Sequence, residues 1–281
     1  MPLHRKGAPA AKDPMETLSP RQHQILALSR QLGSVTVEDL AQRYDVTPQT
    51  IRKDLNELCD LKLLSRTHGG AMLTSGVENL TYEARRLMAA AEKVVIGRHA
   101  AGLIPNNCSL FINIGTTTEE VARALVHHEG LLVITNNIHV ATMLMSRPRI
   151  EVIVAGGVLR RSDGGIVGEA AADFIAQFKV DHAVIGASAL DEDGAMLDFD
   201  YREVRVAKAI MQNARNVMLV ADVTKFTRTA PVRIGHLTDI DVFVTDQAPP
   251  EAVSAYCRDN GVQLEIAEGH PVNDNTMDAA E

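Results

Sequence analysis

From residue 108 to residue 266, short apolar runs alternate with segments of helical periodicity, and this alternation constrains the fold more than any other feature of the chain. The runs at 108–113, 131–135, 150–155, 183–185, 217–221, 242–245 and 263–266 are rich in apolar residues. Helical patterns at 117–126, 140–145, 204–211 and 250–258 lie among them. Strands that are apolar on both faces belong to a mostly parallel sheet covered by helices on both sides. Aromatic residues make up 4% of the chain and tryptophan is absent, so this core must rest on Val, Ile, Leu, Ala and Met. A length of 281 residues suits two domains.

The segment before this region has a different pattern. Ser19 followed by Pro20 is a helix cap with proline at the first helical position, and Ile25, Leu28 and Leu32 supply an apolar stripe that ends at Gly33. Thr36 caps a second helix, with Val37, Leu40, Ala41 and Tyr44 facing inward and Asp39 as a weaker capping-box partner. Thr47 and Pro48 repeat the cap-plus-proline signal, and Ile51, Leu55 and Leu58 mark the buried face of a third helix. A polar turn over residues 65–71 follows, flanked by residues suited to strands.

Three short helices and a β-turn wing make a winged helix-turn-helix, whose third helix enters the major groove. Its outward face presents Thr47, Gln49, Thr50, Arg52 and Lys53. Gln pairs with adenine and Arg with guanine, whereas Thr50 and Lys53 suit phosphates. Arg66 and His68 on the wing are placed to reach the backbone or minor groove. The same periodicity also suits a plain helical bundle with a polar outer face.

The net charge of -8 argues against a nucleic-acid partner until its distribution is considered. Residues 1–74 hold ten Lys/Arg and eight Asp/Glu, about +2, so the remaining residues carry about -10. Cys59, Cys108 and Cys257 are odd in number and widely spaced, which fits buried thiols in a reducing cytoplasm and neither a disulfide framework nor a zinc site. Neither a signal peptide nor a run of 18 apolar residues is present, so a cytoplasmic chain without a membrane partner is expected.

Several loops after the apolar runs suit a small phosphate. Gly115, Thr116, Thr117 and Thr118 follow one strand and open a helix, combining close backbone approach, hydroxyls and a helix N-terminus. Asn136 and Asn137 follow the next strand, and Gly156 and Gly157 the third. Lys225, after a later strand, supplies a cation. Ligands of open α/β sheets bind at such strand ends. Each feature also has a purely structural role open to it: Thr117 and Asn137 as helix caps, the Gly pair as a turn, Lys225 as a surface lysine. His127 and His128 are expected as a solvated pair. With neither GxGxxG nor a P-loop in the chain, dinucleotides and NTPs are not expected, and no cofactor is assigned.

The run Val46-Thr47-Pro48-Gln49-Thr50-Ile51-Arg52-Lys53-Asp54-Leu55-Asn56-Glu57-Leu58, followed by Arg66-Thr67-His68-Gly69-Gly70-Ala71, resembles the N-terminal signature of the DeoR family of bacterial regulators. Three further segments, at 163–169, 173–178 and 198–205, resemble the branch of that family that responds to glycerol 3-phosphate. The resemblance spans about residues 19–266. It implies an α/β protein: an N-terminal winged helix-turn-helix plus a C-terminal, mostly parallel α/β sensor domain, isomerase/CoA-transferase-like. It further implies double-stranded operator DNA as partner and repression of glycerol and glycerol 3-phosphate genes. The implied effector is glycerol 3-phosphate, and the implied assembly a homo-oligomer, dimer or tetramer. Many members carry Asp where this chain has Asn113, and Ser where it has Thr224.

The expected organisation is therefore a disordered arm at 1–17, a DNA-binding domain at 18–74, a linker at 75–81, a sensing domain at 82–267 and a disordered tail at 268–281. No enzymatic turnover is expected. The alternatives are a sugar-phosphate isomerase with a DNA-binding appendage, using Glu203 or Asp191 as its carboxylate, a regulator of a different sugar phosphate, and an activator. The isomerase's own glycine-rich loop with its lysine is not matched between Asp193 and Asp200.

Overall fold

The computed structural model describes residues 18–61, 63–67, 69–73 and 79–268. The arm at 1–17, His68, most of the linker and the tail beyond Glu268 lie outside the described residues. The chain divides into two compact units, Met1–Thr74 and Ser75–Glu281.

The N-terminal unit contains α1 (Pro20–Leu32), β1 (Ser34–Thr36), α2 (Val37–Tyr44), α3 (Pro48–Asp60), β2 (Leu64–Thr67) and β3 (Gly70–Leu73). All three helix starts are capped by the residues expected. The Ser19 hydroxyl accepts from the Gln22 amide in a full capping box, Thr36 accepts from Asp39, and Thr47 accepts from Thr50. Asp39 does not return a bond to the cap backbone; its carboxylate accepts from the Thr36 hydroxyl at 2.7 Å. β2 and β3 form the antiparallel wing, and β1 pairs with the other edge of β3. Ile51, Leu55 and Leu58 of α3 are fully buried against Ile25, Leu40 and Val35.

The stripe on α1 requires correction. Ile25 is buried and Leu28, half-buried, packs against the same core, but Leu32 is 41% exposed. The inward face is Gln22, Ile25, Leu26 and Ser29. Its two polar members are tolerated there because both are bonded: Ser29 donates to the Ile25 carbonyl, and Gln22 to the Glu57 carboxylate of α3.

In the C-terminal unit the elements run α4 (Tyr82–Leu87), α5 (Ala90–Gly102), β4 (Ser109–Ile112), α6 (Thr116–Ala124), β5 (Leu131–Thr135), α7 (Ile138–Leu144), β6 (Ile150–Val154), β7 (Val158–Arg160), β8 (Gly165–Val167) and α8 (Glu169–Ile175). They continue with β9 (Val180–Ile185), β10 (Ala189–Leu190), β11 (Ala195–Asp198), α9 (Tyr201–Gln212), β12 (Ala214–Val220), β13 (Val232–His236), β14 (Val242–Thr245), α10 (Glu251–Asp259) and β15 (Gln263–Ile266). A seven-stranded parallel sheet has the order β15-β14-β12-β9-β4-β5-β6. Alternate residues of its strands enter two separate cores. Phe111, Ala183, Leu219 and Phe243 pack on one face with Val204, Ala207, Ile210 and Val253 from α9 and α10. On the other face Leu110, Ile112, Val184 and Val244 pack with Ile96, Ala100, Val121 and Val140 from α5, α6 and α7. Covering both faces is why the central positions of these strands are apolar on both sides. The seven apolar runs of the sequence all lie in this sheet.

Residues 82–102 form two helices, α4 and α5. The break is at Met88 and Ala89, where Ala89 has φ +49°, and Gly97 sits inside α5. Gly97 is there for packing: a Cβ at this position would lie 2.6 Å from the carbonyl carbon of Glu120, so its absence lets α5 and α6 approach backbone to backbone.

Candidate functional site

Two sites emerge, one in each unit. In the N-terminal unit, α3 buries Ile51, Asp54, Leu55 and Leu58 and leaves Gln49, Arg52, Lys53 and Asn56 exposed. The helix is held from behind. Arg21 of α1 places Nε 2.6 Å from the buried Asp54 carboxylate, and Gln22 Nε2 lies 2.6 Å from Glu57. Thr47 is exposed and Thr50 half-buried, their hydroxyls 2.9 Å apart at the helix start. Arg66, on β2 of the wing, is exposed but turned toward α3, donating to the Arg52 carbonyl at 3.1 Å and to the Asn56 side chain. It braces the wing against the helix, a role that its sequence position did not reveal.

The second site follows from the order of the sheet. From β4 the chain steps outward to β5 and β6, whereas β9, on the other side of β4, leads outward through β12 and β14 to β15. The strand order therefore reverses between β4 and β9, and the loops beyond their carboxyl ends part to leave a crevice. Gly115, Thr116, Thr117 and Thr118 line it from β4, Gly186, Ala187 and Ser188 from β9, and Lys225 from the segment after β12.

The β4 loop has a fixed shape. Gly115 adopts φ +153°, open to glycine, and the Thr118 hydroxyl lies 2.7 Å from the Asn113 carbonyl and 2.8 Å from that of Gly115. No side chain caps α6, so its first amides are directed to whatever occupies the crevice. After β12, Asp222 caps a single 3-10 turn that carries Lys225 and leads into Arg228.

Cations dominate the surroundings. Lys225 is 7% exposed and Arg228 only 2%. Arg228 donates from Nη2 to the Asn79 side chain at 3.1 Å, while its Nε and Nη1 are buried without a partner among the described residues. Arg85 donates from Nη2 to Asp163 at 2.9 Å, and its Nε is likewise buried and unpartnered. Lys93 is fully buried beneath them and donates to the backbone carbonyls of Met88 and Arg85.

These groups suppress one another's protonation. Burial, reinforced by Arg228, Lys93 and Arg85, brings the Lys225 amine down to about 7 against the pull of Asp222. Burial, with Arg85 and Arg228 adding to it, lowers Lys93 to about 8, and burial with Arg85 lowers Arg228 to about 10. Buried donors without acceptors, in a field that disfavours their own charge, have the chemistry to receive an anion.

A belt of ion pairs closes one side. Arg160 reaches Asp163 at 2.7 Å, Asp200 at 3.0 Å and Glu203 at 2.5 Å. Glu203 and Asp198 line the crevice, and burial with Asp198 nearby pushes the Glu203 carboxyl up to about 8 despite Arg160. Two of the three C-terminal segments singled out in the sequence, 163–169 and 198–205, supply Asp163, Asp200 and Glu203 of this belt and Asp198 beside it.

Four of the predicted residues are not brought to the crevice lining. Asn136 and Asn137 are fully buried behind it: Asn136 donates to the Ile166 carbonyl, and Asn137 caps α7 and donates to Glu119. Gly156 and Gly157 sit in the turn from β6 to β7, where a Cβ on Gly157 would lie 2.9 Å from Ile166. Asp191, offered as an alternative carboxylate, belongs to the turn between β10 and β11. His128 is bonded to the Ile104 carbonyl at 3.1 Å, not merely solvated. Conversely, the sequence did not reveal Arg85, Ser188 or Arg228.

Comparison with known proteins agrees with this division. The model of the DeoR-like helix-turn-helix domain matches residues 21–76, and that of the DeoR C-terminal sensor domain matches residues 88–247. The chain belongs to the DeoR family. Within it, this DeoR-family protein is 46% identical over 246 residues to the glycerol-3-phosphate regulon repressor of Escherichia coli (strain K12), a match covering 88% of this chain and 98% of that one. The repressor of the same name from Haemophilus influenzae is 45% identical, over 89% of this chain and 97% of its own. The HTH-type transcriptional repressor CsqR of Escherichia coli (strain K12) is 41% identical, over 88% and 95%. Among solved structures, ribose 5-phosphate isomerase a from Methanocaldococcus jannaschii superposes with a TM-score of 0.36 at 15% identity, over 48% of this chain and 53% of that one. That likeness is too loose to argue from. Among the described residues, no helix is long and apolar enough to cross a membrane.

Proposed function

We propose that this DeoR-family protein is a DNA-binding repressor of glycerol and glycerol 3-phosphate genes, released from its operator by glycerol 3-phosphate. The reading of the effector rests chiefly on the buried, unpartnered donors of Arg228 and Arg85 beside Lys225 at the reversal of strand order. The relatives named for the glycerol-3-phosphate regulon support the choice of anion.

On the operator, α3 enters the major groove with its N-terminal turn leading. Gln49 and Arg52 read base edges, and Thr47, Thr50 and Lys53 hold phosphates. In the crevice, the α6 amides, Lys225 and Arg228 take the phosphate of the effector. Its hydroxyls face Ser188, Asp198 and Glu203, which offer acceptors of matching chemistry. Asn136, Asn137, Gly156 and Gly157 act as the second layer that shapes these loops. Two copies of the chain would present paired α3 helices to paired half-sites.

The crevice has an accessible volume of ≈ 30 Å³, about the room needed for one or two waters. In this reading the loops part as glycerol 3-phosphate enters. That differential binding couples the sites, by about 1–3 kcal/mol in typical cases.

The test is fluorescence anisotropy of a labelled promoter fragment at fixed salt. Tight, sequence-selective binding that is released by glycerol 3-phosphate, and not by glycerol or ribose 5-phosphate, is expected. Release by ribose 5-phosphate instead would reassign the effector. A second reading as an isomerase draws on Glu203, a crevice carboxyl that stays protonated near neutrality. Turnover of ribose 5-phosphate by the purified chain would establish it.

A further inference from the structure

The chain re-enters the described residues at Asn79, five positions after Thr74, where the N-terminal unit ends. This first residue is bonded into the anion crevice. Asn79 Oδ1 accepts from Arg228 Nη2 at 3.1 Å, and Asn79 Nδ2 donates to Ser188 Oγ at 3.3 Å. Ser188 in turn donates to Asp198 at 2.9 Å. Leu80 is buried, and Thr81 caps α4 by accepting from the Ala84 amide.

The rest of the short α4 is fastened to the same crevice. Arg85 bonds Asp163, and its backbone carbonyl accepts from Lys93 and from the Thr116 hydroxyl of the β4 loop. Tyr82 donates to Glu119 at 2.7 Å and stacks on His139. Asn79 is the partner of a guanidinium whose Nε and Nη1 have none among the described residues, and it is also bonded to Ser188 of the crevice lining.

We infer that Asn79 is a latch: it holds the root of the DNA-binding unit's tether on Arg228, and an anion entering the crevice takes Arg228 from it. This inference rests on the reading of the crevice as the effector site and adds the route by which occupancy is transmitted. A phosphate is a stronger partner for a buried guanidinium than a neutral amide, because both partners are charged and the bond can be bidentate. Once Arg228 turns to the phosphate, Asn79 loses its acceptor role and the segment before α4 is freed. With the latch closed the tether is anchored and the operator is held; with it open, operator binding weakens.

Two substitutions in the full-length protein move the latch in opposite directions. Asn79→Ala removes the competitor for Arg228, so glycerol 3-phosphate binds roughly tenfold more tightly, the scale of one hydrogen bond to a charged group. Its operator affinity without effector falls toward that of the effector-bound wild type, and the ratio of operator affinities with and without effector approaches one. Asn79→Asp pairs a carboxylate with Arg228, so glycerol 3-phosphate binds more weakly while the operator is still held. Calorimetry reads the effector, anisotropy reads the operator, and circular dichroism with thermal melting verifies folding. A residue with only a structural role would not shift effector affinity in opposite directions in the two variants.

Both variants shifting effector affinity the same way, or Asn79→Ala keeping the wild-type affinity ratio, overturns the latch. Inorganic phosphate serves as the second probe. If wild type binds inorganic phosphate with this dependence on Asn79 but ignores glycerol 3-phosphate, the effector assignment fails and the latch stands. If neither anion binds, both readings fall.

Discussion

Lys225 Nζ stands 3.9 Å from the carboxylate of Asp222, three residues earlier, within the range of an ion pair but beyond hydrogen-bond length. Asp222 Oδ2, the oxygen of that pair, is buried with no hydrogen-bond partner among the described residues, while Oδ1 accepts from the Thr224 hydroxyl and amide. The amine is thus held near its counter-charge without being consumed by it, and remains available to an anion. Lys225→Met, which keeps the side-chain volume and removes the charge, is expected to bind operator as the wild type does. It should need at least tenfold more glycerol 3-phosphate for release, as read by anisotropy.

The same amine sets a pH window. Its proton is held with a pKa of about 7 in the protein, well below the ordinary lysine value, and a bound anion favours the charged form. Below about 7 the site is already charged. Above it, binding must draw in a proton, so affinity falls by up to about tenfold per pH unit. On the acid side a phosphate monoester loses its second charge below about pH 6. Effector affinity should therefore peak between these limits. Calorimetry at pH 8 in buffers of different ionisation heat should register close to one proton taken up per effector, and Lys225→Arg should flatten the alkaline limb.

Arg52 is exposed on α3, and its backbone carbonyl is held by Arg66 of the wing. Arg52→Ala should cost about 1–3 kcal/mol of discrimination at one base position, in the manner of a lost bidentate contact. Lys53→Ala should weaken binding to all sequences alike and reduce the salt slope by about one. Neither should alter effector binding measured by calorimetry, since both residues belong to the other unit.

Gly97→Ala tests the packing of α5 on α6. The added methyl would lie 2.6 Å from the Glu120 carbonyl carbon, and backbone cannot move aside as a side chain can. A loss of about 1–3 kcal/mol is expected, seen as a fall of several degrees in Tm.

What could be read in the sequence depended on whether a residue's partner was close along the chain. Ile51, Leu55 and Leu58 repeat at helical spacing, and their burial follows from that spacing. The caps Ser19, Thr36 and Thr47 answer amides three residues away. On α1 the same logic misassigned Leu32 and passed over Gln22 and Ser29, polar residues made fit for the interior by their bonds. The antiparallel hairpin of β7 and β8, with strands of three residues around a glycine-containing turn, is too short to show a period. In the crevice, Gly115, Thr116, Thr117, Thr118 and Lys225 were legible because they follow strands. Arg85 and Arg228 were not, since their partners Asp163 and Asn79 lie 78 and 149 positions away.

A crevice this narrow would also make the proposed response a matter of timing and threshold. If the effector binds only a form in which the loops have parted, the measured dissociation constant is the intrinsic one divided by the fraction in that form. Substitutions that only change how often the loops part would then reset the concentration at which genes switch on. Sensitivity could drift from one bacterium to another while every residue that touches the phosphate stays the same.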